Sequence, residues 1–142
     1  MADTIVIDCS VAAKWILPEA GREPALRWFD RYAAGGVLLI APDLLLAEFA
    51  SLLAKRARRK QISAGRAHEA FSLMTKTAPR LYDTRSRIFR ALDLSLRHSL
   101  SLWDSVYVAL ALEHDCPLVT ADERLFRSGK PRHPSLRLLQ EP

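Results

Sequence analysis

The sequence predicts an α/β sandwich built around a mainly parallel sheet. Three short runs, TIVIDC at 4–9, VLLIA at 37–41 and PLVTA at 117–121, are rich in β-branched and aliphatic residues. Continuous apolar runs of this length are typical of parallel strands that are covered on both faces. Longer segments with helical periodicity separate the runs, and strands that alternate with helices indicate a parallel sheet.

The first half of the chain predicts three helices. Ser10 can cap a helix over VAAKWIL, which Pro18 ends. The segment EPALRWFDRYAAGG predicts a second helix with a glycine stop at 35–36. After the strand at 37–41, Pro42 and Asp43 open a long helix, PDLLLAEFASLLAKRARRKQ.

The second half continues the alternation. Ser63 caps a helix over AGRAHEAFSLMTKT that ends before Pro79, and RLY at 80–82 is a weak strand. Two helices, TRSRIFRALDLSLRHS and LWDSVYVALALEH, precede the third apolar run. A short helix then runs to Gly129, and LRLL at 136–139 is predicted to be the last, edge strand.

Size and composition favour one globular domain. The chain has 142 residues, with 49% hydrophobic and 26% charged residues, and it contains no repeat, low-complexity segment or linker. No apolar run approaches the roughly 18 residues of a membrane span. The start, MADTIVID, lacks the basic and apolar segments of a secretory signal. We therefore expect a protein that stays in the cytoplasm, away from membranes.

Net charge indicates a class of partner, and cysteine content limits the possible disulfide and metal sites. The net charge of +5 makes a polyanionic partner plausible, and nucleic acid is the commonest. Cys9 and Cys116 form no CxxC motif, which excludes a disulfide scaffold and a cysteine-rich zinc site. We expect both to be small buried thiols next to strands. The four histidines show no metal-ligand spacing and are expected at the surface.

Four acidic residues lie at positions where a folded core disfavours a charge. Asp8 and Asp122 each follow a predicted strand directly, and Asp104 lies in the first turn of a helix. The carboxyl ends of parallel strands form the edge where α/β proteins bind ligands. Glu48 lies on an apolar helix face with no Lys or Arg one turn away, and burying its carboxylate costs several kcal/mol unless it finds a partner.

Three of these acids also have a purely structural explanation. Asp104 fits a first-turn or capping acid, Asp122 a helix cap and Asp8 an Asx-turn. Together, however, the four acids predict one cleft at the edge of the sheet. Repulsion among four carboxylates raises their pKa values, and Mg²⁺ or Mn²⁺, which prefer oxygen ligands, would relieve it. Such ions activate water against phosphodiesters, so a basic protein with this cleft is a candidate nuclease.

At these residues the chain resembles the PIN-domain ribonucleases, and among them the VapC toxins of type II toxin–antitoxin systems. The matching segments are VIDCSVAAKW, PDLLLAEFASLL and SLWDSVYVALALEHDCPLVTADERLF, in this order, and they cover the chain almost end to end. The resemblance implies that residues 1–142 form a single PIN domain with a three-layer α/β/α fold. It also implies Mg²⁺- or Mn²⁺-dependent RNA cleavage, a homodimer and neutralisation by a small VapB-like antitoxin.

The resemblance assigns roles by position. It gives the catalytic and metal-binding roles to four acids, Asp8, Glu48, Asp104 and Asp122. Ser10 and Thr120 match hydroxyls that orient carboxylates or metal-bound water. The chain departs from the family at Trp103, where Tyr is frequent, and at Ser105, where Ala is frequent. These departures leave the acids untouched and alter the wall of the pocket.

Basic residues near the predicted cleft are candidates for substrate binding. Lys14 lies one helical turn after Ser10 and could contact a substrate phosphate, although an exposed lysine without such a role is the alternative. The run KRARRK at 55–60 begins with Lys55 and Arg56 and could bind the RNA backbone. Its alternative is a solvated helix end that the helix dipole favours.

The resulting hypothesis is an endoribonuclease in which water attacks phosphorus and leaves 3′-hydroxyl and 5′-phosphate ends. An aspartate-nucleophile phosphatase would need a second acid two residues after Asp8, where Ser10 stands. A module that binds RNA on its basic surface without cutting it is the other alternative. The sequence contains no G-x-S-x-G, P-loop or G-x-G-x-x-G motif. The hypotheses of a nucleophile-elbow hydrolase, an NTPase and a dinucleotide-binding protein therefore lack their motifs.

Overall fold

A computed structural model describes residues 2–139 as a parallel sheet covered by helices. Its five strands are β1 (Asp3–Ile7), β2 (Val37–Pro42), β3 (Arg80–Tyr82), β4 (Leu118–Thr120) and β5 (Leu136–Leu138). They are arranged in the order β3-β2-β1-β4-β5, and every neighbouring pair is parallel. The predicted α/β class is therefore confirmed, including the short strands at both edges.

Helices connect the strands and cover both faces. They are α1 (Cys9–Ile16), α2 (Arg22–Ala33), α3 (Leu44–Arg58), α4 (Ala64–Thr77), α5 (Ile88–His98), α6 (Leu102–Glu113) and α7 (Glu123–Gly129). Helices α1 to α4 pack on one another, with α2 and α3 against β2. Helix α6 packs against α5 and against β1, β2 and β4, while α7 contacts β4 and β5. The result is a three-layer α/β/α sandwich.

The central strands carry the core and align one edge of the sheet. Ile5, Val6 and Ile7 are buried in succession, as expected for a strand that is covered on both faces. Ile7 pairs with Val119, so β1 and β4 end at almost the same level of the sheet. The residues that follow these strands therefore meet at one edge.

Two predicted helix starts are wrong. Ser10 does not cap α1, because the Val11 amide donates to Asp8 Oδ1 at 3.3 Å and Ser10 lies inside the helix. Pro42 does not open α3, since it is the last residue of β2. Asp43 occupies the N-cap position of α3 without capping it, and its carboxylate instead accepts hydrogen bonds from the Thr84 amide and hydroxyl.

Two helix boundaries and the burial of two residues also differ from expectation. The helix α3 ends at Arg58, and the segment before α5 begins as a 3₁₀ turn, Arg85–Arg87. His133, in the segment between α7 and β5, was expected at the surface but is only 6% exposed. Cys116 is buried as predicted, whereas Cys9 is half-buried. Within residues 2–139, no helix has both the length and the apolar character that a membrane crossing requires.

Candidate active site

Asp8 lies at the carboxyl end of β1, where three donors surround its carboxylate. The Ser10 hydroxyl donates to Oδ1 and the Thr120 hydroxyl to Oδ2, each at 2.5 Å, and the Val11 amide donates to Oδ1 at 3.3 Å. Burial nevertheless raises the pKa of Asp8 to about 6, because these hydrogen bonds only partly offset desolvation. The charge of Asp104 raises it further.

Ser10 and Thr120 join the ends of β1 and β4. While each hydroxyl donates to Asp8, it also accepts from the segment after β4: Ser10 Oγ from the Ala121 amide at 2.9 Å, and Thr120 Oγ1 from the Asp122 amide at 3.0 Å. The two hydroxyls therefore fix the orientation of the Asp8 carboxylate relative to Asp122. This geometry is compatible with the orienting role that the resemblance implied.

Glu48 projects from α3 towards α6 and finds a partner there. The Tyr107 hydroxyl donates to Glu48 Oε1 at 2.5 Å. Burial raises the pKa of Glu48, the hydrogen bond from Tyr107 opposes this, and the charge of Asp104 adds to the rise. Tyr107 is 1% exposed, and burial also raises the pKa of its phenol, so the phenol stays protonated as a donor.

Sequence reasoning did not assign a role to Tyr107. The only signal was its position three residues after Asp104, which places the two side chains on the same side of α6.

The charge of Asp104 interacts with those of the other three acids. It follows the N-cap Ser101, whose hydroxyl accepts from the Asp104 amide at 3.0 Å. Burial raises the pKa of Asp104, the charge of Asp122 raises it as well, and Arg124 lowers it. Because Asp104 also raises the pKa values of Asp8 and Glu48, its carboxylate is within the electrostatic range of all three other acids.

Asp122 caps α7 while it faces this group. Its Oδ1 accepts hydrogen bonds from the amides of Arg124 at 2.9 Å and Leu125 at 3.2 Å. Asp8 caps α1 in the same way, and Asp104 is a first-turn acid. The first-turn explanation of Asp104 and the capping explanation of Asp122 therefore hold, whereas Asp8 caps α1 instead of forming the predicted Asx-turn. All three roles are compatible with the clustering of the charges.

With this geometry in place, comparisons with known proteins decide the family. The PIN domain family model matches residues 5–130. This chain belongs to the PIN domain family. It is 32% identical over 130 residues to a VapC ribonuclease of Mycobacterium bovis and, at the same identity, to ribonuclease VapC9 of Mycobacterium tuberculosis. Each alignment covers 92% of this chain and 94% of the relative.

A third relative supports this assignment, and a solved structure supports the fold. Ribonuclease VapC1 of Mycobacterium tuberculosis is 34% identical over 85 residues, which cover 60% of this chain and 63% of that protein. The crystal structure of PAE2754 from Pyrobaculum aerophilum superposes with a TM-score of 0.68 over 90% of this chain and 87% of that one. At 18% identity the latter comparison supports the fold alone.

The acids of this PIN domain carry the oxygen ligands that a hard divalent cation prefers, but they are not placed close enough together to coordinate one. Within the described residues, no three Asp, Glu, His or Cys side chains are placed to hold a metal ion together. The available donors are carboxylate and hydroxyl oxygens, which Mg²⁺ and Mn²⁺ prefer. Glu48 Oε2 and Asp122 Oδ2 make no hydrogen bond inside residues 2–139, so both are available as ligands if the carboxylates draw together.

The three basic residues predicted to bind substrate lie on α1 and α3. Lys14 Nζ donates to the Ala20 carbonyl at 2.9 Å and lies 3.4 Å from Glu19 Oε2, while Arg56 pairs with the other oxygen of Glu19. Glu19 therefore ties Lys14 to Arg56, which the sequence did not reveal. Lys55 is exposed. Contact between these residues and RNA remains a prediction.

Proposed function

We propose that this PIN domain, extending over residues 1–142, is a metal-dependent endoribonuclease that acts as the toxin of a toxin–antitoxin pair. The observation that carries the proposal is the meeting of Asp8 and Asp122 at the adjoining ends of β1 and β4, where the Thr120 hydroxyl donates to the Asp8 carboxylate and accepts from the Asp122 amide. Asp104 raises the pKa values of Asp8 and Glu48, and Asp122 raises that of Asp104. The relatives at 32% identity are named ribonucleases, which supports the same activity here.

The four acids, Asp8, Glu48, Asp104 and Asp122, are the proposed ligands of Mg²⁺ or Mn²⁺. A divalent cation there would polarise the scissile phosphate and lower the pKa of a bound water. The surrounding residues prepare the carboxylates for this role. Ser10 and Thr120 hold Asp8, and Tyr107 holds Glu48.

The cleavage test compares the wild type with Asp8→Asn on structured RNA in the presence of Mn²⁺ or Mg²⁺. The matched control is Asp30→Asn, since Asp30 is an exposed acid on α2 and the substitution changes the net charge equally. We expect the wild type and Asp30→Asn to cleave RNA and leave 5′-phosphate ends. The cleavage rate of Asp8→Asn should fall by at least about 100-fold, which is the usual effect of losing one general acid–base or electrostatic group. Equal cleavage by all three proteins would reject the site.

The antitoxin is the second part of the proposal. We propose that a small VapB-like protein neutralises the toxin in the cytoplasm. Expression of this chain alone should stop cell growth, and co-expression of the small open reading frame directly upstream of its gene should restore it. Growth arrest by Asp8→Asn as strong as that by the wild type would separate toxicity from the acidic site.

We also propose a homodimer, formed through one face of α5. Four apolar side chains on this helix are exposed, and together they are called the α5 stripe: Ile88 at 37%, Phe89 at 87%, Leu92 at 50% and Leu96 at 78%. Exposed apolar patches on this scale mark interaction surfaces. In a two-fold, antiparallel pairing of α5 with its copy, Phe89 of each chain faces Leu96 of the other, so the stripe is self-complementary.

A non-catalytic RNA-binding module is the alternative function. The net charge of +5 and the basic run at 55–60 favour it. Chelation with EDTA distinguishes the two, because a module of this kind would bind RNA equally well without divalent ions and would cleave none. Metal-dependent cleavage that EDTA abolishes excludes it.

A further inference from the structure

A cavity of about 200 Å³ lies between α5, α6 and the turn that joins α7 to β5. It is separate from the acidic group, since none of the four acids lines it. Its polar wall is mainly basic and consists of one carboxylate, Asp93, and five basic residues, Arg90, Arg97, Arg132, His98 and His133. Neither the family resemblance nor the charge pattern of the sequence drew attention to this cavity.

Two histidines of the cavity have buried ring nitrogens without partners. His133 is 6% exposed, and its Nε2 makes no hydrogen bond to any described residue. The same is true of His98 Nδ1. A buried polar atom without a partner costs about 1–3 kcal/mol, and native proteins rarely leave one unsatisfied. Both histidines line the cavity, and their unpaired nitrogens lie buried beneath its surface.

The arginines define the charge of a ligand for this cavity. Arg97 donates to Asp93 Oδ1 at 3.1 Å, and Asp93 is the one carboxylate on the cavity wall. Arg90 and Arg132 form no salt bridge with any carboxylate between residues 2 and 139. Two guanidinium groups are therefore uncommitted beside the unpartnered imidazoles. Arginine binds phosphate in a bidentate manner, so this combination fits a phosphate group.

A second pocket lies next to the cavity and includes Asp104, one of the four acids. It is lined by Asp104 and Arg124, together with the hydroxyls of Ser99, Ser101 and Ser128. Leu100 lines both pockets, so they adjoin each other. A strand whose phosphate lies beside Asp104 could therefore extend past Arg124 and these hydroxyls into the cavity.

We propose that the cavity binds one phosphate group of the RNA strand, away from the scissile phosphate. This inference rests on the proposed ribonuclease function. The volume supports a single group, because pockets for whole drug-sized ligands measure roughly 300–1,000 Å³. A free nucleotide presents the same phosphate chemistry, but proximity to the pocket at Asp104 favours the RNA strand.

The binding test uses the double variant Arg90→Gln/Arg132→Gln and fluorescein-labelled single-stranded RNA in EDTA, where no metal-dependent cleavage occurs. The matched control is Arg27→Gln/Arg127→Gln, which removes the same charge from two exposed, ion-paired arginines outside the cavity. We expect the cavity variant to bind several-fold more weakly. The slope of log K against log salt should fall in magnitude by about 0.7 for each lost phosphate contact, and the control should keep the wild-type slope.

The outcomes separate this inference from the proposed function. Equal losses in both double variants would overturn the cavity site, because the effect would then be general charge. RNA binding in EDTA that depends on the cavity, together with no cleavage after Mn²⁺ or Mg²⁺ is added, would support the site and contradict the ribonuclease. A separate experiment adds adenosine monophosphate or inorganic phosphate and follows the ring NMR signals of His98 and His133. A response to the free nucleotide with no cavity-dependent RNA binding would overturn the RNA assignment, and so would no response to any probe.

Discussion

At the scale of single residues, Asp8 shows how a functional charge reduces stability. Burial raises its pKa from 3.8 to about 6, so between these values the folded protein binds more protons than the unfolded chain. Stability attributable to Asp8 is therefore complete below pH 3.8, falls as the pH rises to about 6 and stays low above it. The shift corresponds to about 2–3 kcal/mol.

Asp8→Asn should consequently stabilise the metal-free protein at pH 7 while it removes cleavage. Asn keeps the shape and removes the buried charge, and the hydroxyls of Ser10 and Thr120 can each rotate to donate or accept. We expect a gain of about 1–3 kcal/mol in urea unfolding at pH 7, shrinking towards zero near pH 4. The exposed-acid control Asp30→Asn should show no such pH-dependent gain. A loss of stability at pH 7 would contradict the account of Asp8.

Tyr107 provides a second test at this scale, since it contacts Glu48 and none of the other acids through a hydrogen bond. Tyr107→Phe removes only the hydroxyl and leaves Glu48 without its donor. We expect about a 10-fold weaker affinity for Mn²⁺, measured by electron paramagnetic resonance without RNA, because loss of an orienting partner costs about 10–100-fold. Tyr82→Phe, in a half-buried tyrosine outside the acidic group, is the control. Unchanged Mn²⁺ affinity in Tyr107→Phe would leave the hydroxyl with a packing role only.

At the scale of elements, the start of α3 depends on a residue 40 positions away. The Leu44 amide donates to Thr84 Oγ1 at 2.9 Å, and that hydroxyl donates to Asp43 Oδ1 at 2.7 Å. Thr84 thus replaces the side-chain cap that Asp43 does not provide. Since α3 carries Glu48, this contact also fixes the helix that presents one of the acids.

Thr84→Val should lower the free energy of unfolding by about 1–2 kcal/mol, the usual cost of losing a cap together with a hydrogen bond. Urea unfolding measures it. Thr75→Val is a suitable control, because the Thr75 hydroxyl bonds a carbonyl of its own exposed helix and the change should stay within about 0.5 kcal/mol. Equal effects in the two variants would show that the Thr84 contact does not stabilise α3.

The same elements show what sequence could and could not predict. Apolar runs and alternation predicted the strands and the sheet, because those signals are local. The cap at Asp43 failed because its carboxylate bonds Thr84, 41 residues away, which spacing along the chain does not reveal. The cap at Ser10 failed for a local reason, because Asp8 caps α1 and Ser10 donates to Asp8.

At the scale of the whole molecule, the fold brings the predicted acids into one electrostatic group without forming a closed metal site. Strand ends could be matched from the sequence, because parallel β1 and β4 end together and place Asp8 near Asp122. Tyr107 and Glu19 could not be assigned, since their roles depend on how α6 and the loop after α1 pack. Nor could the basic cavity, whose lining comes from α5, α6 and the segment after α7.

The α5 stripe leads to a testable prediction about the proposed homodimer. If two copies pair through α5, Leu96→Glu places a carboxylate in the apolar interface, where burying an unpaired charge costs several kcal/mol. Leu96 is 78% exposed in the single chain, so the substitution should leave the fold intact. We expect a dimeric wild type and a monomeric Leu96→Glu by size-exclusion chromatography with light scattering. Leu73→Glu, on α4 and 46% exposed, should remain dimeric. A monomeric wild type, or a dimeric Leu96→Glu, would exclude the stripe as the interface.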